Sequence, residues 1–491
     1  MNISGLFVCP VNIFSMTFCS SSIIFLPLIP TTSPPRQLSN QPMNKLFGTD
    51  GIRGEAGKYP LDAPTIERFG YALALELQQR VGHAPQIIIG RDTRESGEWI
   101  EASLIRGLRM AAASFQSAGI ITTPGVAYLT KSLKADAGIV ISASHNPYQD
   151  NGLKVFSPSG QKLDEATERA IEADLQAEAT AFPAMLQGDE APNKSLEQQL
   201  QQQYLAFLQN KIGAQLDLSG LRIVLDCAHG AAYQLAPALF QAAQITTINA
   251  APTGRNINLN CGALHTEQLQ TKVTEMNADL GIAFDGDADR ALFVDAQGNL
   301  VDGDQVLFIL ALYLATKNQL AGNRVVATVM SNLGLELGLK ASGITLARVN
   351  VGDKYVLDDL LKNGGGIGGE QSGHVIFPNL SLAGDGMLTA LEVLRVMQES
   401  GKSLQALTAG FTRYPQIIIN VKVGSKPPLD SIAPIKAMMD ELNAELEGNG
   451  RLLLRYSGTE NLARVMIEGQ DEPTIRAQAE AMAQVLQENL G

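Results

Sequence analysis

The segment GIVISASHNPYQDNGLKVF, residues 138–156, begins as an apolar run and turns polar at Ser142. β-Branched residues followed by Asn-Pro are typical of a strand that ends in a sharp loop, because proline fixes its own φ and restricts the residue before it. This pattern places the hydroxyl of Ser144 at the end of a strand. In open α/β sheets ligands bind at that edge, so Ser144 is a candidate nucleophile. A serine in such a loop is also a common turn former, and these residues alone leave both interpretations open.

The same alternation of strand and helix recurs along the chain. Short apolar runs end in polar or glycine-rich loops and are followed by stretches with helical spacing of apolar residues. Runs of this kind begin at Gln86, Ala137, Arg222, Leu280 and Arg324. Repeated βα units predict mostly parallel sheets with helices on their faces. The last part of the chain differs and is predicted to form a small α+β domain.

The composition is that of an ordinary globular chain with several domains. Of 491 residues, 45% are hydrophobic and 18% are charged, and the length suggests roughly three domains. The net charge of −13, from 37 basic and 50 acidic residues, argues against general binding of nucleic acid or anionic membranes. The four cysteines show no CxxC spacing, which disfavours a zinc site or redox pair and favours a reducing cytoplasm.

Residues 1–42 do not fit this pattern. The segment is apolar, rich in Ser, Thr and Pro, and carries no charge before Arg36. It lacks the basic start of a secretory signal, and prolines interrupt its apolar stretches below membrane-spanning length. We interpret it as an extraneous extension ahead of a natural start at Met43. A true targeting peptide or anchor is the alternative.

The segment FDGDADR, residues 284–290, gives the sharpest chemical signal. In an extended chain, side chains at alternate positions point the same way, so Asp285, Asp287 and Asp289 are predicted to converge. Three close carboxylates repel one another, and a hard cation such as Mg²⁺ resolves that conflict. An EF-hand calcium loop is excluded because its sixth and twelfth positions lack the required glycine and glutamate. A solvated acidic turn is the remaining alternative.

The glycine-rich segment GGGIGGEQSGH spans residues 364–374. Its formal GxGxxG match lacks the following helix and the βαβ unit that a dinucleotide site requires, so we discard that interpretation. What remains is a loop that presents Glu370, Ser372 and His374 at alternate positions. These hydrogen-bonding groups are of the kind that binds sugar hydroxyls. A satisfied strand edge with one structural histidine is the alternative.

The segment RYSGTENLAR, residues 455–464, combines guanidinium groups, hydroxyls and a glycine. A phosphate dianion binds to such groups, because guanidinium groups, hydroxyls and the backbone N–H groups around a glycine all donate hydrogen bonds to its oxygens. The candidate phosphate ligands are Arg455, Ser457, Gly458, Thr459 and Arg464. A simple β-turn between two strands is the alternative.

Taken together, these motifs resemble the α-D-phosphohexomutase superfamily. The resemblance runs from Lys45 to about Gly469, and six motifs in the same order make it specific. The motifs are KLFGTDGIRG from Lys45, ISASHNP from Ile141, DGDADR from Asp285, GDKYV from Gly352, GGEQSGH from Gly368 and RYSGTE from Arg455.

The resemblance implies three α/β domains and a smaller C-terminal α+β domain around a central cleft. The predicted boundaries are 1–42 for the extension, 43–197 for a phosphoserine domain, 198–296 for a metal-binding domain, 297–412 for a sugar-binding domain and 413–491 for a phosphate-binding domain.

The resemblance also implies a role for each motif. Ser144 would carry a phosphoryl group and would hold one Mg²⁺ together with the three aspartates. Glu370 and Ser372 would contact the sugar, and the 455–464 group would bind the substrate phosphate. The remaining implied catalytic residues are Arg53, His145, Lys154 and His374, with Lys154 and His374 as candidates for acid and base work.

The implied reaction interconverts glucosamine 6-phosphate and glucosamine 1-phosphate through a phosphoserine and a sugar 1,6-bisphosphate, which also serves as activator. A mutase acting on mannose or glucose phosphates, or a sugar-phosphate binding protein without activity, would be the alternatives. A sugar phosphate is the expected partner, with no nucleic acid or membrane, in a cytoplasmic enzyme that forms a homodimer.

Two positions depart from the superfamily pattern. Ala288 stands where DGDGDR has a glycine, and Asn461 stands where SGTEP has a proline. Alanine at 288 is strained only if its φ is positive. Asn461 leaves the phosphate donors unchanged.

Deleting residues 1–42 should leave folding and turnover intact, because the motifs all lie after Met43. The check compares the melting temperature and the mutase rate of the shortened and full-length chains. Loss of soluble enzyme on deletion would contradict this interpretation of the segment.

Overall fold

The structure of the protein is a computed structural model that describes residues 45–48, 50–176, 193–457 and 461–491. These residues contain four β-sheets. These residues belong to one unit, 43–491, and the extension 1–42 lies outside the described residues. None of the described helices combines the length and apolarity needed to cross a bilayer.

The first sheet has six strands in the order β1-β2-β6-β5-β3-β4. Its elements are β1 (Phe47–Gly48), β2 (Gly51–Glu55), α1 (Ala63–Val81), β3 (Gln86–Arg91), α2 (Gly97–Met110), β4 (Ser114–Ile120), α3 (Thr123–Ser132), β5 (Ala137–Ile141), β6 (Asp150–Phe156) and α4 (Glu165–Gln176). β3 runs parallel to β4 and β5, whereas β6 is antiparallel to β5 and β2. Asp62 caps α1, since its side chain accepts a hydrogen bond from Thr65 N.

The second sheet has five strands in the order β11-β10-β9-β7-β8. Its elements are α5 (Lys194–Phe207), β7 (Arg222–Asp226), α6 (Ala232–Leu239), β8 (Gln244–Ile248), α7 (Glu267–Glu275), β9 (Leu280–Phe284), β10 (Ala291–Asp295) and β11 (Leu300–Val301). A π-helical turn, Leu208–Ile212, extends α5, and a 3₁₀ turn lies at Gly262–Leu264. β7 is parallel to β8 and β9, and β9 is fully buried.

The third sheet has the order β13-β12-β14-β15, with β12 parallel to β13 and β14. Its elements are α8 (Gly303–Thr316), β12 (Arg324–Thr328), α9 (Leu333–Ala341), β13 (Thr345–Val349), α10 (Asp353–Asn363), β14 (Ile367–Gly369), β15 (Val375–Ile376), α11 (Gly386–Ser400) and α12 (Leu404–Leu407). A 3₁₀ segment, Ala321–Asn323, precedes β12.

The fourth sheet is antiparallel and has the order β16-β18-β17. Its elements are β16 (Gln416–Lys422), α13 (Ala433–Leu446), β17 (Gly450–Tyr456), β18 (Leu462–Gly469) and α14 (Glu472–Leu490), with a 3₁₀ turn at Leu429–Ser431. α13 and α14 cover one face of this sheet and share an apolar core with it. The predicted fold class, three α/β sheets followed by a small α+β sheet, is confirmed. The exact domain boundaries stay a prediction.

Three interior strands end directly before loops that carry predicted site residues. β5 is followed by the Ser144 loop, β9 by the acidic loop 284–290, and β14 by Glu370. Each strand is buried because it is apolar along its length and lies between neighbours, so its carboxyl end is a fixed point from which a polar loop starts.

Candidate active site

The acidic loop, residues 284–290, brings three carboxylates together in the protein interior. One oxygen from each of Asp285, Asp287 and Asp289 lies within 4.8 Å of the others. The three residues are only 1%, 0% and 6% exposed. Oδ1 of Asp287 and Oδ1 of Asp289 have no hydrogen-bond partner among the described residues. Buried, unpartnered carboxylate oxygens in this arrangement fit a hard cation with oxygen ligands.

The acidic loop is a turn and not the extended segment that the sequence predicted. The N–H of Ala288 donates to the carbonyl of Asp285 over 3.0 Å, which closes the turn. The aspartates therefore converge because the backbone folds back on itself. The prediction that the three aspartates lie together is confirmed, but its reason, the alternation of side chains along an extended chain, was wrong.

Lys154 brings a buried ammonium to the acidic loop. Its ammonium lies 2.8 Å from Asp287 Oδ2 and 3.5 Å from Asp289 Oδ2. Burial would lower the pKa of Lys154, but the carboxylates around it outweigh burial and hold that pKa well above its ordinary value. Burial would also raise the pKa of Asp289, yet Lys154 and His374 hold it well below the usual range.

Asp285 differs from Asp289. Burial raises the pKa of Asp285 well above the ordinary value, Asp289 and Asp287 act in the same direction, and Arg290 and the Ser144 hydroxyl oppose them only in part. The nearby cations Lys154, His374 and Arg290 therefore leave the charge of Asp285 uncompensated. The loop fits a further positive charge bound between its carboxylates.

Three helices direct their first N–H groups at successive carbonyls of the acidic loop. Ala231 N, ahead of α6, donates to Gly286 O over 2.8 Å. Thr123 N of α3 donates to Asp287 O, and Gly386 N of α11 donates to Ala288 O, both over 3.0 Å. Helix N-termini carry unpaired N–H groups and partial positive charge, so they stabilise an anionic loop.

Glycines permit this close packing. A Cβ at Gly286 would lie 2.5 Å from the carbonyl of Ser144, so only glycine lets the acidic loop approach the serine loop. A Cβ at Gly386 would lie 2.4 Å from Arg290 O, which explains why α11 begins with glycine.

Ala288 adopts a φ of +55°, in the left-handed region. The strain that the sequence made conditional on a positive φ is therefore present. A non-glycine residue in this region costs about 1 kcal/mol or more. The surrounding contacts hold it there, since Ala288 is fully buried.

Ser144 lies directly beside the acidic loop. Its Oγ donates to Asp285 Oδ2 over 2.7 Å and lies 3.2 Å from His145 Nδ1. The residue is 1% exposed and has a φ of +51°, a conformation rare outside glycine. The structure thus places the predicted nucleophile and the predicted metal ligands in contact, although they lie far apart in the sequence.

The serine loop is held in place by Arg94, which the sequence analysis did not single out. The Arg94 side chain is fully buried. Its guanidinium donates to the carbonyl oxygens of Ser144, Asn146, Pro147 and Asp150 and to Oδ2 of Asp92. A planar guanidinium with five donors is suited to gather several carbonyls at once.

Two further contacts complete the support of the serine loop. Ser142 Oγ donates to Asp92 Oδ2 over 2.6 Å and accepts from Ser144 N over 2.9 Å. Asn258, from the part of the chain that builds the second sheet, donates to Ser144 O over 2.9 Å. The Ser144 backbone is therefore fixed while its hydroxyl faces Asp285.

A cleft cavity of about 620 Å³ opens beside these loops. Its lining includes Arg53, His145, Arg290, Glu370 and His374. Burial lowers the pKa of His145 to about 4, and Arg290 and Arg53 act in the same direction. Burial would lower the pKa of His374, but Asp289 and other carboxylates raise it to about 9.

Glu370 and Ser372 differ in their placement. Glu370 lines the cleft cavity, and its Oε1 accepts from Gly352 N over 3.2 Å. Ser372 is not part of that lining, and its buried Oγ has no hydrogen-bond partner among the described residues. The predicted sugar contact is thus geometrically supported for Glu370 alone.

The residues that are predicted to bind the substrate phosphate lie apart from the cleft. Arg455 and Arg464 face each other across β17 and β18 and line a separate cavity of about 210 Å³ with Met330. Burial lowers the pKa of Arg455, and Arg464 lowers it further. Two cations opposed on neighbouring strands repel unless they share an anion, which fits a phosphate. Ser457 is buried beside them, whereas Gly458 and Thr459 lie outside the described residues.

Comparison with known proteins identifies the family. Four models of the phosphoglucomutase/phosphomannomutase family match the chain: alpha/beta/alpha domain I over 44–182, domain II over 202–298, domain III over 302–414 and the C-terminal domain over 418–485. The chain belongs to this family and is an enzyme of the phosphohexomutase type. The resemblance drawn from the motifs is confirmed.

The most similar relatives include phosphoglucosamine mutases. That of Solibacter usitatus is 48% identical over 450 residues, which cover 91% of this chain and 99% of the relative. That of Koribacter versatilis is 46% identical over 466 residues, covering 92% and 98%. That of Geobacillus kaustophilus is 45% identical over 454 residues, covering 91% and 100%.

Solved structures share the fold. A phosphoglucomutase/phosphomannomutase family protein from Burkholderia thailandensis aligns with a TM-score of 0.73 at 21% identity, covering 91% of this chain and 99% of that one. The N-acetylphosphoglucosamine mutase of Aspergillus fumigatus, solved with GlcNAc-6P and magnesium, aligns with a TM-score of 0.60 at 18% identity, covering 90% and 95%. Family membership and the three aspartates together support a metal cofactor.

Replacing Asp287 with asparagine should weaken metal binding at least about tenfold, because one carboxylate of the acidic loop is lost. Titration calorimetry with Mg²⁺ and Mn²⁺ measures this directly. Asp217→Asn removes the same charge from an exposed turn ahead of β7 and is the matched control. Equal metal affinity in the two variants would remove the acidic loop from metal binding.

Replacing Arg94 with lysine should lower the melting temperature by several degrees and the mutase rate by about 100-fold. Lysine has three donors, so at least two buried acceptors of the serine loop lose their partner. Thermal melting and steady-state kinetics provide the two readouts. Arg476→Ala, which removes an exposed pair on α14, is the control. A fully active Arg94→Lys enzyme would show that the serine loop does not need this support.

Proposed function

We propose that this enzyme is a phosphoglucosamine mutase that interconverts glucosamine 6-phosphate and glucosamine 1-phosphate. One observation carries the proposal: Ser144 Oγ lies 2.7 Å from Asp285, inside a buried group of three aspartates. Phosphoglucosamine mutases at 43–48% identity, aligned over at least 91% of the chain, support this substrate over mannose and glucose phosphates. The product supplies UDP-N-acetylglucosamine synthesis.

The reaction proceeds in two phosphoryl transfers. A phosphoryl group carried on Ser144 moves to O1 of glucosamine 6-phosphate: the bond between phosphorus and Oγ breaks, the bond to O1 forms, and the O1 proton is removed. The resulting 1,6-bisphosphate turns in the cleft, and Ser144 Oγ attacks the phosphorus on O6. This step restores the phosphoserine and releases glucosamine 1-phosphate with a proton on O6.

Each part of the site has a task in these transfers. Lys154 and His374, which both lie against Asp289, are the candidates to move protons to and from the sugar oxygens. Burial of Ser144 keeps water from its phosphoryl group. One Mg²⁺, held by the three aspartates and the Ser144 phosphoryl oxygen, would neutralise charge on the transferring group.

Substrate binding uses both cavities. Glu370 in the cleft contacts the sugar hydroxyls, with Ser372 as the second predicted contact. The phosphate that does not react binds to Arg455, Ser457, Gly458, Thr459 and Arg464. Since the arginines line a cavity apart from the cleft, binding requires the fourth sheet to approach the other three.

Several finer predictions accompany this proposal. They are the four domain boundaries, the sugar 1,6-bisphosphate as activator, the homodimer and the cytoplasmic location. A sugar-phosphate binding protein without activity is disfavoured, because burying a hydroxyl against three carboxylates has a clear chemical use only in catalysis.

Purified enzyme with Mg²⁺ and bisphosphate should convert glucosamine 6-phosphate at least about tenfold more efficiently than mannose or glucose 6-phosphate, measured by coupled assay.

Ser144→Ala should abolish turnover, since no acceptor for the phosphoryl group remains, and Ser132→Ala on α3 is the control. Phosphopeptide mass spectrometry should find the phosphate on Ser144. An active Ser144→Ala enzyme would overturn the mechanism, and a preference for mannose or glucose would overturn the substrate.

A further inference from the structure

Lys162 connects two segments that are distant in sequence. Its ammonium lies 2.6 Å from Asp50 Oδ1, beside β2, and 2.7 and 2.8 Å from the two oxygens of Asp353, the first residue of α10. Asp50 belongs to the part of the chain that builds the first sheet, and Asp353 to the part that builds the third. The three side chains are only 21–23% exposed.

The backbone fixes the position of Lys162. A tight turn follows β6, in which Ser157 N donates to Gln161 O over 2.7 Å. Lys162 then pairs with Phe156 on β6. Because β6 also carries Lys154, the two lysines are held on one rigid hairpin.

Both carboxylates that Lys162 contacts lie against catalytic candidates. Asp50 Oδ2 is 3.0 Å from Lys154 Nζ and also pairs with Arg53. Asp353 Oδ2 is 3.7 Å from His374 Nε2. Asp50 and Asp353 also line the cleft cavity. Lys162 therefore contacts two aspartates that line the cleft cavity and that lie next to Lys154 and His374.

The two carboxylates would repel each other without Lys162. Both touch one nitrogen, so their oxygens lie within about two hydrogen-bond lengths of each other, where like charges are costly in a half-buried site. Burial would lower the pKa of Lys162, but Asp353 and Asp50 outweigh burial and raise it, so the ammonium stays charged.

We propose that Lys162 is a positioning residue that clamps the serine-bearing part of the enzyme to the sugar-binding part across the cleft. Lys162 itself is absent from the lining of the cleft cavity. It lines a second cavity of about 330 Å³, whose lining shares Asp50, Asp289, Asp353 and His374 with the cleft cavity. It acts through Asp50 and Asp353 without touching the sugar. The inference rests on the proposed function, since it assigns the clamp a task in phosphoryl transfer.

Three variants test the clamp. Lys162→Met keeps an unbranched side chain one atom shorter and removes its charge, and Lys162→Arg keeps the charge. Lys162→Met with Asp353→Asn removes the repulsion that Lys162→Met leaves. Lys58→Met is the matched control, since Lys58 is also in a carboxylate pair near β2 but is 69% exposed.

Steady-state kinetics on glucosamine 6-phosphate give the first readout. Lys162→Met should lower kcat about 30-fold with KM changed less than about threefold, because misplacement affects transfer from Ser144 more than sugar binding. Lys162→Arg should stay within about fivefold of wild type. The double variant should recover at least about fivefold over Lys162→Met, a coupling that a merely structural lysine would not show.

Hydrogen–deuterium exchange gives a readout that does not need activity. Amides of residues 157–163 and of the start of α10 should exchange at least about tenfold faster in Lys162→Met than in wild type, Lys162→Arg or Lys58→Met. If Lys162→Met does not fold, the double variant and Lys162→Arg carry the same comparison.

Two results would overturn the clamp: wild-type kcat and exchange in Lys162→Met, or a double variant no better than Lys162→Met. A wild-type enzyme without mutase activity would instead overturn the proposed function. The exchange of the variants would still decide whether Lys162 holds the two parts together.

Discussion

The burial of three carboxylates in one short loop is the constraint on which the rest of the site depends. Charged groups lose their hydration in the interior and must recover it from nearby donors and cations. The acidic loop has Lys154 on one side and three helix N-termini behind it. Even so, Oδ1 of Asp287 and Oδ1 of Asp289 have no hydrogen-bond partner among the described residues. These unpartnered oxygens fit the metal cofactor that family membership supports.

Charge balance also explains how the separate sheets meet. Arg94 ties the serine loop to its own sheet through carbonyl oxygens, and Asn258 adds a contact from the second sheet. Lys162 joins Asp50 and Asp353. Each contact gives a buried or half-buried polar group a partner that is distant in sequence. The reacting groups are therefore positioned by pairs of residues from different parts of the chain.

The sequence predicted the parts of the site that lie within short motifs. Ser144 and the acidic loop were found because loop residues directly follow apolar strands, and Glu370 was found because it lies in a glycine-rich loop with other hydrogen-bonding groups; both patterns are visible within about ten residues. Arg94 and Lys162 were missed because their partners are distant in sequence, and a lone arginine or lysine looks like any surface cation. The turn at Ala288 was missed because a positive φ at alanine has no signal in its side chain.

The three helices behind the acidic loop have a consequence for biosynthesis. The aspartates leave the ribosome with the second sheet, but the N–H group that supports Ala288 belongs to α11, much later in the chain. A nascent polypeptide that ends before Gly386 contains all three carboxylates without the helix that completes their backbone geometry. The backbone geometry of the acidic loop is therefore complete only after α11 has been synthesised.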